Sequence, residues 1–261
     1  MLSKRNKLSK TRLMPKLETQ ISVEGKFEYI SNLNTEYLID ALYNFFEENN
    51  INKAKQSFNT YALLDAFRIS NLNARIFDYA IPSVGYAMLS DNWEYLESIY
   101  ANLSYQSFGI DDKTGAEIPL SMEEMVLDGE NTVFCNTIQQ LIKGDTEKIE
   151  RNLNIIELVT LPKKTQNPEL MNLDFEFYKA VHELNKDKCE EILNQLVTPK
   201  IHKSRNDDAL LNKYVSQPAL GYAKLAWSKG IEVEVNSPLV PKEILPIKPL
   251  DNYERPYEFL K

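Results

Sequence analysis

The sequence predicts an all-α protein of stacked helical hairpins, αα repeat-like, with roughly nine to ten helices and a short extended, proline-rich C-terminal strap. Three observations predict it. Apolar residues recur at helical spacing along most of the chain. Short polar breaks carrying Asn, Asp or Gly separate consecutive apolar stripes. Five of the twelve prolines (Pro238, Pro241, Pro246, Pro249, Pro256) fall in the last 24 residues, where helical spacing ends. With 8 glycines in 261 residues, 43% hydrophobic and 26% charged, the composition is that of a globular, helix-rich chain able to bury a sizeable core.

The elements follow in order. Residues 1–20 carry six basic side chains (Lys4, Arg5, Lys7, Lys10, Arg12, Lys16) against Glu18, and read as a basic, disordered, solvated arm. Residues 21–261 read as a single helical domain, with 231–261 its extended capping tail. Leu38, Ala41, Leu42, Phe45 and Phe46 share one face of the first strong helix, and Leu170, Leu173, Phe177, Val181 and Leu184 do so in a later one. The breaks ENNINKA (48–54), LSDNWEY (89–95), IKGDTEK (142–148) and LNKDKCE (184–190) supply capping residues followed by acids in the next first turn. Four hairpins result, at roughly 35–70, 74–104, 122–160 and 168–198.

A near-repeat supports paired helices: PSVGYAML (82–89) matches PALGYAKL (218–225) at an offset of 136 residues, about three units of ~45. Gly85 and Gly221 would let another helix approach closely, at a propensity cost near 1 kcal/mol each. Residues 105–121 (YQSFGIDDKTGAEIPLS) lack periodicity and read as a long loop. IEVEV (231–235) is the one convincing strand candidate, and it is too short to found a sheet.

Chemistry-bearing motifs are missing. The chain has no phosphate loop, GxGxxG, GxSxG or HExxH, and its two histidines exclude a multi-histidine metal site. His182 reads as a packed or partly exposed helical residue and His202, in TPKIHKSRN, as solvated. Cys135 and Cys189 lie 54 residues apart, outside any clustered motif, and read as buried free thiols. No catalytic set, metal or cofactor is expected. The N-terminus lacks an apolar h-region and the longest near-apolar run, AIPSVGYAML (80–89), is too short for a bilayer, so the expected address is cytoplasmic with no membrane contact.

The net charge of −8 divides unevenly: beyond residue 20 the chain carries 24 basic and 37 acidic groups, a net of −13. Such a body repels nucleic-acid phosphates and favours basic protein surfaces. The densest acidic stretch is 107–130, with Asp111, Asp112, Glu117, Glu123, Glu124, Asp128 and Glu130 against Lys113. Together with Tyr105 and Phe108 as aromatic anchors beside it, this segment is the candidate partner-binding surface.

From Gly221 to Pro246 the chain reads GYAKLAWSKGIEVEVNSPLVPKEILP. A helix of small and apolar residues (Ala223, Leu225, Ala226) ends in Lys229 and Gly230; a valine-rich extended piece follows (Ile231, Val233, Val235), and then Pro241 precedes Ile244 and Leu245. Over these ~26 residues the chain resembles the C-terminal signature of the immunity protein 49 family of bacterial polymorphic toxin systems. The resemblance implies a non-enzymatic, antitoxin-like protein that neutralises a cognate toxin domain by stoichiometric binding. A basic toxin, for instance a nuclease, would suit the acidic body, with the immunity protein a monomer or homodimer. A TPR-like scaffold holding a peptide in a concave groove is the alternative. An enzyme built from dispersed carboxylates comes third and would need Glu123 or Glu124 for activity.

Overall fold

The computed structural model describes residues 1–111, 113–163, 168–206 and 208–261. Thirteen α-helices and one two-stranded sheet occur among them, so the chain is all-α apart from that sheet. The helices are α1 (Leu2–Leu8), α2 (Met14–Ser22), α3 (Ile30–Phe46), α4 (Ile51–Leu72), α5 (Ile81–Met88), α6 (Trp93–Ser98), α7 (Met122–Leu127) and α8 (Thr132–Lys143). There follow α9 (Thr146–Ile155), α10 (Pro168–His182), α11 (Lys186–Leu196), α12 (Pro199–Arg205) and α13 (Gln217–Ser228). Helices α3 and α4, α8 and α9, and α10 and α11 form antiparallel hairpins, as the apolar stripes predict. No helix among the described residues is long and apolar enough to cross a membrane.

The four polar breaks share one local geometry. Asn50, Asn92, Asp145 and Asn185 are the N-caps, each accepting from the backbone N–H three residues on (Lys53, Tyr95, Lys148, Lys188). The residue before each cap has positive φ: Asn49 (49°), Asp91 (59°), Gly144 (72°) and Leu184 (55°). One left-handed residue followed by an Asx cap reverses the chain in the fewest residues, which is why these breaks are so short.

The hairpin expected at 74–104 forms differently. α6 is only six residues long, and α5 takes α13 as its main partner. The near-repeat explains this: the two matching segments are α5 and α13, packed on each other through their glycines. A Cβ placed on Gly221 would lie 2.6 Å from the Cα of Gly85, and one on Gly85 3.1 Å from the Cα of Gly221. Only two glycines permit backbones this close. The motif tyrosines complete the correspondence, since Tyr86 stacks on Phe58 of α4 (6.0 Å, 10°) and Tyr222 on Phe177 of α10 (4.5 Å, 7°). The two copies therefore pack face to face, not three repeat units apart along a stack.

The N-terminal segment is a correction. Residues 1–20, expected as a disordered arm, form α1, a π-helical turn (Ser9–Leu13) and most of α2. Leu2, Met14, Leu17 and Ile21 are buried, an apolar stripe that the density of basic residues obscures in the sequence. The basic residues themselves face buried acids of α3: Arg5 donates to both oxygens of Glu36 (2.6 Å each), and Lys10 pairs with Asp40 (3.0 Å). His202 is a second correction. It lies half-buried in α12, with Nε2 2.8 Å from the Asn212 carbonyl oxygen and Nδ1 3.0 Å from Asn206 Nδ2. Cys135 and Cys189 are free and buried, as expected.

Residues 231–261 run extended. IEVEV joins no sheet, as its shortness predicts; Ile231, Val233 and Val235 alternate inward and the Trp227 indole donates to the Val233 carbonyl (3.1 Å). Farther on, Lys224 Nζ donates to the carbonyls of Ile244 (2.8 Å), Leu245 and Pro246 (both 3.1 Å), and Lys55 Nζ to that of Lys248 (2.6 Å). The Tyr257 hydroxyl meets those of Tyr37 (2.8 Å) and the carboxylate of Glu18 (2.7 Å), while Phe259 packs edge-on against Phe27 and Phe67. The strap thus ties α13 to α4 and to the N-terminal helices.

Asp65, fully buried on α4, accepts from Asn34 Nδ2 (3.2 Å) and Arg68 Nη1 (3.1 Å). Burial pushes its carboxyl up to about 7, with Arg68 opposing the shift. Between the unfolded value near 4 and about 7 the native state therefore holds a proton that the unfolded chain has released. Stability from this group is present below that window and is lost as pH rises through it, on the order of 1.4 kcal/mol per pKa unit. The expected result is that the unfolding free energy of wild type relative to Asp65→Asn declines from pH 4 to 7, measured by urea titration at each pH. A pH-independent difference would contradict it.

Candidate interaction face

Residues 105–121, expected as a loop, form an antiparallel hairpin of β1 (Gln106–Ile110) and β2 (Glu117–Ser121), paired from Gln106↔Ser121 to Ile110↔Glu117. Its base is clamped by Asn73, whose amide donates to the Gln106 carbonyl and accepts from the Gln106 N–H, both at 2.8 Å. Asp111 organises its tip. One carboxylate oxygen accepts from the Thr114 N–H (2.7 Å), the Lys113 N–H and the Thr114 hydroxyl (both 2.9 Å). Those donors, Thr114 N–H first, hold this carboxyl below its ordinary range.

Directly opposed residues of an antiparallel pair share a face. Ser107 and Leu120 point inward, and Ser107 is buried. On the other face Phe108 and Ile110 stand out, 67% and 62% exposed, beside Pro119 and Glu117. Ile118, across from Gly109, is 41% exposed. α7 continues directly from β2 and carries exposed Leu127; Leu158 and Val159 are exposed on the π-helical turn after α9 (Ile156–Thr160), and Val159 packs near Gly129 just beyond α7. Half of the exposed large apolar side chains among the described residues thus lie on this hairpin, α7 and the adjoining turn.

The predicted site residues divide by role. Tyr105 is no exposed anchor: it is 4% exposed, its hydroxyl meeting Asp78 and Thr132, and it fixes the hairpin base from inside. The reason is its place next to Gln106, where the chain leaves the core. Phe108 is exposed as expected. Glu124 accepts from the Ser121 N–H (2.7 Å) and hydroxyl (2.6 Å) in a capping box that starts α7 and keeps its carboxyl low. Glu123 pairs with Arg151, and Glu130 lies 3.9 Å from Lys163, whose ammonium also donates to the Asp128 carbonyl (2.7 Å). Glu117 and the Asp128 side chain are exposed. Asp112 lies outside the described residues. Of the described acids, Asp111 and Glu124 shape the backbone and Glu123 and Glu130 are paired, which leaves the exposed apolar residues as the larger unengaged part of this candidate face. Gly115 following Lys113 and Thr114, between two short apolar segments (Phe108 and Ile110; Ile118 and Leu120), was the available hairpin signal.

Glu123 and Glu124 engage separate partners, so they do not form a carboxylate pair. No group of three metal-ligating side chains occurs among the described residues.

Residues 124–244 match the family model described as Immunity protein 49. The matched segment runs from the first turn of α7 through α13 to the strap residue Ile244, far beyond the 26-residue signature; α1–α6 and the β-hairpin precede it. No curated protein and no solved structure matches the chain.

Proposed function

With the immunity protein 49 match as the starting point, we propose that this protein is a toxin-neutralising immunity protein of the cytoplasm, acting without catalysis by stoichiometric binding of a cognate toxin domain. The observation that carries the docking assignment is the β-hairpin that leads directly into α7, with Phe108 and Ile110 67% and 62% exposed on one of its faces. Exposed aromatic and aliphatic side chains on a hydrogen-bonded ribbon are pre-organised anchors, which lowers the ordering cost of association. Glu117 and Asp128 add charge that favours a basic surface and quickens encounter. The occupant is a folded toxin domain with a basic rim around an apolar recess. Binding there would mask the toxin's working surface.

Co-expression with the C-terminal domain encoded by a neighbouring modular toxin gene tests this. Growth rescue and a 1:1 complex are expected. Phe108→Asp or Ile110→Asp should leave the fold intact and cost about 2 kcal/mol or more of binding, about thirtyfold in Kd. The association rate should fall as salt rises. Full affinity in both variants would overturn the assignment of the face; absence of rescue and of any complex would overturn the function.

A further inference from the structure

A second built site lies on the other half of the chain. A cleft of about 520 Å³ opens among the π-helical turn after α1, α3, α4 and the strap. Its floor is polar and buried: Asn6, Asp40, Asn44, Ser57 and Thr60 are each 8% exposed or less. Ser57, Asn44 and Thr60 spend their donors on neighbouring groups, which leaves Asp40 and Asn6 as the acceptors of this floor. Asp40 Oδ2 takes the Ser57 hydroxyl (2.7 Å) and the Lys10 ammonium (3.0 Å), while Oδ1 meets no donor among the described residues. Asn6 Oδ1 is buried and unpartnered. The half-buried rings of Tyr37 and Tyr43 line the walls, and exposed Glu48, Lys53 and Glu254 stand at the rim, two acids against one base.

A buried carboxylate with a free oxygen, an orphan acceptor beside it and two tyrosine rings together match a planar, multiply donating cation. Lys10 occupies the position only in part. Its side chain is 47% exposed, as that of an exchangeable placeholder would be. We infer that this cleft is a receptor for the guanidinium of an arginine residue on a protein partner, with Lys10 the internal competitor it displaces. That the partner is the toxin domain rests on the proposed function; that the cleft takes an arginine side chain does not.

The test therefore uses the full chain alone, titrated with N-acetyl-arginine amide and followed by NMR shifts of residues 37–60. Saturable binding is expected, tightening about fivefold in Lys10→Ala, since the half-exposed ammonium no longer competes for the Asp40 carboxylate. Asp40→Asn should weaken it about tenfold or more. Should Asp40→Asn fail to fold, Glu48→Gln at the rim reads the same site with a smaller loss. N-acetyl-lysine amide should bind more weakly than the arginine probe. Absence of saturable binding in Lys10→Ala, or equal binding in the carboxylate variants, overturns the site. Tenfold preference for free arginine over the blocked amide would identify a small-molecule site and overturn the protein-partner source.

Discussion

Replacing Gly221 with alanine is expected to cost about 2–3 kcal/mol of unfolding free energy, because the new methyl overpacks a backbone crossing. The added Cβ would sit 2.6 Å from the Cα of Gly85, where no side-chain rotation can relieve it. α5 and α13 must separate, and the Tyr86–Phe58 and Tyr222–Phe177 stacks lose register with them. Alanine's better helix propensity, about 1 kcal/mol, offsets part of this. Gly85→Ala meets its nearest atom at 3.1 Å and should be milder. Urea unfolding of both variants checks the order. If Gly221→Ala proves as stable as wild type, the crossing is looser than described.

Lys224→Met is the second large effect. Lys224 occupies the position in PALGYAKL that Met88 fills in PSVGYAML, so methionine restores the repeat and keeps the volume. The ammonium is fully buried, 2.5 Å from Asp91 Oδ1, and Asp91 also binds Lys55 (2.7 Å). Burial pushes the Lys224 amine down to about 8, with Asp91 opposing, so at neutral pH it remains the charged donor. Removing it leaves three strap carbonyls without their donor and Asp91 with one cation in place of two. Breaking a buried pair in this way costs about 3–5 kcal/mol. Limited proteolysis should then cut first between residues 244 and 261. Truncation after Gly230 removes the same contacts together with buried Val233, Val235, Val240, Ile244 and Leu245, and should yield no stable protein. A soluble, cooperatively folding truncation would show that the strap is dispensable.

What was legible in the sequence was local. Asn50, Asn92, Asp145 and Asn185 act on backbone groups three residues away, so their spacing alone identified the breaks. The glycines of the near-repeat announced a close approach, though sequence could not say that the partner of each was the other. The strap was legible because prolines end helical periodicity, but the alternation in IEVEV was matched by no second strand, so inward Val233 and Val235 made no ladder. The N-terminal helices were missed because Arg5 and Lys10 read as solvated charge, when their counter-ions Glu36 and Asp40 lie some thirty residues away on α3. For the candidate interaction face, the charges were visible but their partners were not. Arg151 and Lys163 come from other elements, and the exposure of Phe108 and Ile110 depends on a pairing register that short strands do not encode.

Amide hydrogen–deuterium exchange on the purified 1:1 toxin complex, compared with the free protein, tests the docking face most directly. Strong added protection across residues 106–130, covering the hairpin and α7, is the predicted result. Protection confined to other elements, with the hairpin exchanging as in the free protein, would contradict it.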